Sequence, residues 1–238
     1  LALRHDPQAA RFYVIDLGGG QLSSLERLPH VAGVAGREEG EKVRRIVDEV
    51  AGFIRRPEGC ATFLVIDGWH HIGTSNAEFE DIAEKVTEIV ADGASAHVHV
   101  IIATSRWTTM RPAIRDLIAN RLELRLGEAL DSLIDRKLQQ KLPSAPGRGL
   151  TLAGENMLLA RTSNQDIAHI CRVHAAADPV PPLKMLPAVL TPSALAAQGG
   201  VPTGEIAWGI GGRDLDTLTW NPSREPHLVA IGAQGCGN

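Results

Sequence analysis

The stretch TFLVIDGW at residues 62–69 decides the fold, together with HVHVIIATSRW at residues 97–107. Each is a short apolar run rich in β-branched residues that ends abruptly on a polar side chain, Asp67 in the first and Thr104 in the second. Buried parallel strands have this composition and deliver such groups to the carboxyl edge of a sheet. A carboxylate at that edge orients magnesium beside nucleotide phosphates, usually through water, and we predict this role for Asp67. The alternative interpretation is an Asp that only caps the following turn.

The composition is that of an ordinary globular protein. The chain has 238 residues, 44% of them hydrophobic, and a formal net charge of -4, enough for one large or two smaller domains. No apolar run approaches the roughly 18 residues that span a bilayer, and the chain begins with neither a signal nor a transit peptide. Three widely spaced cysteines without a CxxC pair favour a reducing cytosol over a disulfide framework or a zinc site. A sequence pI of about 6.1 argues against binding nucleic acid through bulk charge.

Strands and helices alternate in the first part of the chain. Amphipathic helices are predicted at residues 38–56 and 78–92, one before and one after the strand that ends on Asp67. This order implies a mainly parallel sheet covered by helices on both faces. Beyond residue 107 the pattern predicts a helix at 110–118, a strand near a sheet edge at 121–126 with Arg121, Glu123 and Arg125 on one side, a helix at 129–142, a loop at 143–149 and a strand at 157–160.

Three consecutive glycines, Gly18 to Gly20, follow a strand predicted at residues 11–17. They lack the GxGxxG spacing of a dinucleotide site and the Lys of a phosphate-binding loop, so we interpret them as a plain strand-to-helix turn. Asp16, just before them, would lie at the same sheet edge as Asp67.

The domain organisation is predicted as a first domain at residues 1–177, a proline- and alanine-rich linker at 178–200 and the beginning of a further domain at 201–238. Strands are predicted there at residues 205–210, 215–220 and 228–231. The last strand runs into GAQGCGN, which has the GxxxxG spacing of a phosphate-binding loop, so we predict phosphate contacts from Gly232, Gly235 and Gly237. Asn238 stands where such a loop carries Lys, which removes the point charge for the β- and γ-phosphates.

The predicted chemistry centres on Asp67 as the metal-orienting and catalytic carboxylate. Hydrolysis also needs a group that activates water, commonly a Glu beside that Asp, and here the neighbour is Gly68. The site is therefore predicted to bind nucleotide and to hydrolyse it poorly. Thr104 and Ser105 are placed like a polar sensor that touches the γ-phosphate or the attacking water; the alternative is a hydroxyl that caps the next helix.

Arg121 and Arg148 are candidates for an arginine that acts on the nucleotide of a neighbouring subunit, with surface ion pairing as the alternative. Histidines and tryptophans also lie near the strand ends. The histidines (His70, His71, His97 and His99) have no fitting zinc spacing with a carboxylate or Cys, and the tryptophans (Trp69 and Trp107) either wall a ligand pocket or simply cap the sheet edge.

The order of these segments along the chain resembles that of one family. The segments are RFYVIDLGGG, LPHVAGVAGREEGEKVRRIVDEV, FLVIDGW, HVHVIIATSRW, RLELRLG, IDRK, PGRGL, PLKMLPAVL and GAQGCG. The chain resembles the FtsK/SpoIIIE-type ATPases of type VII secretion systems, the EccC component, from Leu1 to Gly237. IDGW and PGRGL are most similar to the second of three tandem ATPase domains, and the chain from Val201 onward to the beginning of the third.

The resemblance implies an α/β fold of the RecA-like P-loop NTPase type, with ATP and Mg²⁺ as ligands. It also implies that the phosphate-binding strand, loop and most of the following helix of the first domain come before Leu1. Family members carry a longer polar segment where Arg56 here reaches Glu58 almost directly.

The implied partners are the other ATPase domains of the same chain, membrane subunits of the secretion system, small helical secreted substrates and further copies in a hexameric ring. The implied location is the cytoplasmic face of the cell membrane. The implied function is an ATP-binding module of a secretion motor that recruits and exports those substrates. One alternative is a regulatory or scaffolding domain that holds nucleotide without hydrolysis, which Gly68 and the linker favour. Another is a DNA translocase, against which the acidic balance counts, so no nucleic acid partner is expected.

Overall fold

The computed structural model describes residues 1–73, 79–212 and 214–232. Two compact units make up the chain, Leu1–Leu183 and Lys184–Asn238. Residues 180–183 lie along a strand of the first unit, because the backbone N–H of Val180 donates to Pro29 O and that of Leu183 to Ala32 O, both at 2.8 Å. The domain boundaries at residues 177 and 200 stay predictions.

The regular elements alternate between strand and helix in the first half of the chain. The strands are β1 (Ala10–Asp16), β2 (Val31–Gly36), β3 (Ala61–Asp67), β4 (Val98–Ala103), β5 (Leu122–Leu124), β6 (Arg148–Thr151), β7 (Asn156–Leu158), β8 (Ile206–Gly211) and β9 (Asp216–Trp220). The α-helices are α1 (Gly40–Arg55), α2 (His70–Gly73), α3 (Glu80–Asp92), α4 (Pro112–Arg115), α5 (Arg136–Lys141), α6 (Asn164–Val173) and α7 (Pro192–Gln198). Short 3₁₀ helices cover Ser23–Arg27, Gly93–Ala96, Trp107–Thr109 and Ala129–Asp131.

The first unit is built on a four-stranded parallel sheet in the order β2-β1-β3-β4. The predicted strands that became β1, β3 and β4 are confirmed, as are the two long amphipathic helices, now α1 and α3. The prediction missed β2, VAGVAG, because its small residues carry little of the bulky β-branched signal that marks a strand.

The main core lies between one face of this sheet and helices α1 and α3. Residues on alternate positions of β1 and β3, such as Tyr13, Leu64 and Ile66, pack against Ile46 of α1 and Ile82 of α3. The opposite face is less covered: Phe63 and Val65 of β3 are half-buried, and Ile101 of β4 is 48% exposed. The helices expected on both faces are therefore seen, within the described residues, mainly on one.

The second half of the first unit departs from the prediction. Strands β5, β6 and β7 form a separate antiparallel sheet, with β5 at one edge as expected and β6 occupying part of the predicted loop. Of the helix predicted at 110–118 only α4 forms, from Pro112 to Arg115, and a 3₁₀ turn at Trp107–Thr109 precedes it. The helix predicted at 129–142 is restricted to α5 and one 3₁₀ turn, because the Asp135 carboxylate caps the amides of Lys137 and Leu138 and so begins the helix late.

The second unit contains helix α7 and the antiparallel hairpin of β8 and β9. Both strands of the hairpin were predicted. The strand predicted at 228–231 is wrong: these residues are irregular, with Leu228, Val229 and Ile231 between 58% and 91% exposed. A strand needs a neighbour to satisfy its backbone, and no described residue of this unit supplies one. Among the described residues, no helix is long and apolar enough to cross a membrane.

The two faces of the sheet should respond differently to the loss of side-chain volume. We expect Ile66→Ala, at a fully buried position of β3, to lower the free energy of unfolding by about 2–5 kcal/mol because it leaves a cavity. Ile101→Ala on β4, 48% exposed, is the matched control and should cost less than about 1 kcal/mol. Urea unfolding followed by circular dichroism measures both; equal losses would contradict the one-sided core.

Candidate functional site

The carboxyl edge of the parallel sheet gathers the predicted polar residues. Asp16 at the end of β1 lies directly opposite Asp67 at the end of β3, and Asp67 lies opposite Ala103, the residue before Thr104. The ladder continues one step past the strands, since Leu17 N donates to Asp67 O and Trp69 N to Ala103 O, both at 3.0 Å. The in-register pairing therefore brings Asp16, Asp67 and Thr104 to one edge.

Asp16 is committed to its own loop. Its buried carboxylate accepts hydrogen bonds from the backbone N–H of Gly20 at 3.1 Å and of Leu22 at 2.7 Å. Gly19 and Gly20 have φ values of +126° and +78°, the left-handed region that favours glycine. The triple glycine thus forms a turn closed by Asp16, as the plain-turn interpretation expected, and leads into a 3₁₀ helix.

Asp67 is the free carboxylate of the pair. The Asp67 side chain is half-buried and makes no hydrogen bond or ion pair with any residue in the described ranges, so the turn-capping alternative finds no donor there. The Asp67 carboxylate fits beside Gly18 only because residue 18 has no side chain, since a Cβ there would overlap the carboxylate. A half-exposed oxygen ligand with open valences fits the water-mediated coordination that Mg²⁺ prefers.

Gly68 cannot be replaced by Glu without moving the backbone. Its φ is +76°, and a Cβ on it would lie 2.8 Å from both Gly18 N and Leu17 C. A general base therefore does not fit at position 68, because the backbone after β1 occupies the space that its side chain would need.

Thr104 is held within its own loop. Its hydroxyl lies 2.8 Å from the hydroxyl of Thr109, which donates to Arg106 O at 2.7 Å. Ser105 is exposed beside it. Both residues line a cavity of about 350 Å³ between the end of β4 and strand β5. The sensor role of Thr104 and Ser105 stays a prediction.

The two candidate arginines differ in how they are held. The guanidinium of Arg121 donates to the carbonyl oxygens of Ile118 at 2.9 Å and Arg115 at 2.7 Å. Arg148 begins β6 and is exposed. A role in trans for either arginine stays a prediction, and Arg148 has the more accessible side chain.

Glu123 is a buried carboxylate whose burial the alternation of the strand does not predict. The prediction put Glu123 with Arg121 and Arg125 on one side of an edge strand. In the structure Glu123 is buried, Arg125 is exposed, and Leu122 and Leu124 on the other side of β5 are 50% and 42% exposed. The Glu123 carboxylate accepts hydrogen bonds from Trp107 Nε1 (2.7 Å), Ser132 Oγ (2.7 Å), Leu133 N (2.8 Å) and Gln139 Nε2 (3.1 Å). Burial alone would raise the pKa of Glu123, but these four donors together lower it.

Two pairs of rings that include the predicted histidines lie in contact, and the predicted tryptophans, Trp69 and Trp107, each line a cavity. His70 and His71 have ring centroids 4.1 Å apart, and His99 stacks on Phe63 at 5.0 Å. The described residues contain no group of three His, Cys, Asp or Glu side chains suited to a metal. Trp69 is buried beneath the sheet edge, and Trp107 donates to Glu123.

The glycines predicted to contact phosphate in the second unit are only partly within the described residues. Gly232 is exposed and irregular, and Gly235 and Gly237 lie outside the described ranges. Their role stays a prediction.

Comparison with known proteins decides the family. Residues 1–169 match the model of the FtsK/SpoIIIE family. The chain belongs to the FtsK/SpoIIIE family. The resemblance seen in the sequence is thereby confirmed.

The chain is also similar to individual curated proteins. The chain is 33% identical over 265 residues to the ESX-4 secretion system protein EccC4 of Mycobacterium tuberculosis. It is 32% identical over 280 residues to the ESX secretion system protein EccC of Thermomonospora curvata. Both alignments cover 100% of this chain and 21% of the relative, so this FtsK/SpoIIIE chain spans about a fifth of the length of these proteins.

Solved structures agree with the fold prediction. The structure of Thermomonospora curvata EccC (ATPases 2 and 3) in complex with a signal sequence peptide has a TM-score of 0.78 and 31% identity, covering 94% of this chain and 47% of that one. EssC (ATPases 2 and 3) from Geobacillus thermodenitrificans, at a TM-score of 0.67 and 16% identity, covers 93% of this chain and 49% of its own and supports the fold alone. The α/β, RecA-like P-loop ATPase architecture is confirmed.

The clash at Gly68 can be separated from its backbone conformation. Gly59 has the same φ of +76°, but no atom of the described residues lies within 4 Å of the place that its Cβ would occupy, which makes it the matched control. We expect Gly59→Ala to cost about 1–2 kcal/mol of unfolding free energy from the left-handed backbone alone. Gly68→Ala should cost about 1–3 kcal/mol more, because the end of β1 must move. Equal costs in urea unfolding would contradict the steric argument.

The Glu123 network should give this FtsK/SpoIIIE chain a specific pH dependence. Because the folded pKa lies below the ordinary value of 4.5, ionised Glu123 stabilises the fold fully above that pH, and the contribution is lost as the pH falls through the folded pKa. In Glu123→Gln the side-chain amide N–H groups face the four donors that the carboxylate accepted from. We therefore expect the free energy of unfolding to fall by about 1–3 kcal/mol at pH 7, and by less in acid. Urea unfolding at several pH values tests this, with the exposed Glu155→Gln as control. A loss that does not vary with pH would contradict it.

Proposed function

We propose that this chain is an ATP-binding module of a type VII secretion motor ATPase. The observation that carries the proposal is the Asp67 carboxylate, without a partner among the described residues, at the carboxyl edge of a parallel sheet and one strand away from Thr104. Ligands of open α/β sheets bind at that edge. In this proposal Asp67 orients Mg²⁺, while Thr104 and Ser105 contact the γ-phosphate side of the site.

The phosphate-binding loop would be supplied by sequence upstream of Leu1. Strand β4 ends the described sheet, so one of its hydrogen-bonding edges has no partner strand among the described residues. The sheet face bearing Phe63, Val65, His99 and Ile101 is also only partly covered. A parallel strand added beside β4, followed by a helix across that face, would bring a loop next to Asp67.

A bound Mg²⁺ would neutralise phosphate charge and hold the β- and γ-phosphate oxygens. The chain's own residues contribute position. The Gly18 backbone leaves space for the Asp67 carboxylate, and the Asp16 turn fixes the end of β1 beside it. Arg121, or the more exposed Arg148, would offset charge on the nucleotide of a neighbouring copy in a ring.

Recruitment of substrates is proposed from the likeness to the relatives. The relatives are named as components of ESX secretion systems, and the solved Thermomonospora curvata protein is in complex with a signal sequence peptide. By this likeness we propose that the chain works at the cytoplasmic face of the membrane with further ATPase domains and membrane subunits. It would take part in exporting small helical proteins.

A second candidate function is a regulatory domain that holds nucleotide without hydrolysis. The crowding at Gly68 favours it, because no carboxylate beside Asp67 can act as the general base. Such a domain would act on an active neighbour through its interface and would bind ATP through the same Asp67.

Nucleotide binding and turnover separate the two candidates. The protein tested extends upstream of Leu1 through the phosphate-binding loop, and Asp67→Asn keeps the size of the side chain but removes its charge. We expect Mg²⁺-dependent ATP binding, measured by calorimetry, to weaken about tenfold or more in Asp67→Asn. Asp92→Asn, an exposed change at the end of α3, is the control.

Turnover abolished by Asp67→Asn would support the motor, and binding without turnover would support the regulatory domain. Equal ATP affinity in wild type and Asp67→Asn would sink the assignment of Asp67 and with it both candidates.

A further inference from the structure

A cleft lies between helix α3 and the segment that leads into α4, separate from the residues assigned to nucleotide. It encloses about 420 Å³. Its apolar lining includes Trp69, Ala83 and Ile114, and its polar lining includes Glu84, Glu88 and Arg111. A space of this size takes a few side chains rather than a whole helix, so it suits an anchor residue presented by a partner.

The mouth of the cleft is negatively charged. Glu84 and Glu88 are one turn apart on α3, both exposed, and neither has an ion pair with any described residue. Lys85, between them in sequence, is engaged by Asp48 at 2.6 Å. Arg111 on the other wall is paired with Glu80 at 3.5 Å, so its charge is already compensated. The carboxylates of Glu84 and Glu88 are therefore not neutralised by these two cations and can attract a cationic group of a ligand.

Trp69 forms part of the wall of the cleft. It is 2% exposed and lines the cleft, yet its Nε1–H has no hydrogen-bond partner within the described part of the chain. A buried donor without an acceptor is unfavourable. A lysine or arginine side chain brings no acceptor for this donor, so Trp69 does not select the ligand, but as part of the cleft lining its indole reports on occupancy.

We propose that this cleft binds a lysine or arginine side chain, together with a neighbouring aliphatic side chain, on a helix of a partner protein. The alkyl stem of such a residue covers apolar surface while its charged end stays at the rim, where Glu84 and Glu88 lie. Helices recognised in grooves present anchors in this way. The proposal uses none of the residues assigned to ATP and does not depend on nucleotide binding.

The probe is a synthetic amphipathic peptide of about 14 residues, with leucines on one face and two lysines beside them. Its matched control peptide carries glutamates in place of the lysines. Titration into the isotope-labelled 238-residue chain is followed through the indole N–H resonance of Trp69. We expect a saturable shift with the lysine peptide and about tenfold weaker binding of the glutamate peptide.

Two variants localise the binding. Glu84→Gln with Glu88→Gln removes the rim charge, and Glu38→Gln with Glu41→Gln, at exposed sites near and on α1, removes the same net charge elsewhere. We expect the first pair to weaken the lysine peptide about tenfold and the second to leave its affinity unchanged. Ala91→Trp, at an exposed wall position, should fill the cleft and abolish the shift.

Asp67→Asn should bind the peptide as the wild type does, which separates this surface from the nucleotide site. The proposal is overturned by full affinity in the Glu84/Glu88 double variant or in Ala91→Trp, or by a Trp69 resonance that does not move. A shift of that resonance with protein concentration alone would assign the cleft to a second copy of this chain instead.

Discussion

The chain just beyond the carboxyl ends of β1 and β3 is so closely packed that Gly18 and Gly68 have no room for a side chain. A Cβ on Gly18 would enter the Asp67 carboxylate, and one on Gly68 would meet the backbone of Leu17 and Gly18. This contact holds the two strand ends in register beyond their last residues, since Leu17 N still donates to Asp67 O. Every polar group of the candidate site takes its position from that register.

The same contact allows one carboxylate to orient a cation but excludes the second carboxylate that commonly activates water beside it. It leaves the Asp67 carboxylate half-exposed and able to orient a cation, but it excludes a second carboxylate from the next position. Asp16 does not substitute for it, because its oxygens are engaged by the amides of Gly20 and Leu22. Under the proposed function, this geometry favours holding nucleotide over activating water.

A buried polar network explains why the burial of Glu123 could not be predicted from the sequence pattern. The alternation in RLELRL predicts a strand, but it does not say which side faces the protein. Hydrophobicity would place the leucines inside, whereas the structure buries Glu123 at 2% exposure under four hydrogen bonds and leaves Leu122 and Leu124 half outside. The donors come from residues up to 16 positions away, so no local pattern contains them.

The sequence by itself determined the parallel α/β core, because runs such as TFLVIDGW and the spacing in α1 follow from local burial and period. It also determined that Asp67 ends a central strand next to Gly68. Only the tertiary structure decided which carboxylate is free and that Gly68 is sterically required. Those properties depend on contacts between Asp16, Gly18 and Asp67, which belong to strands about fifty residues apart and meet only when the sheet forms.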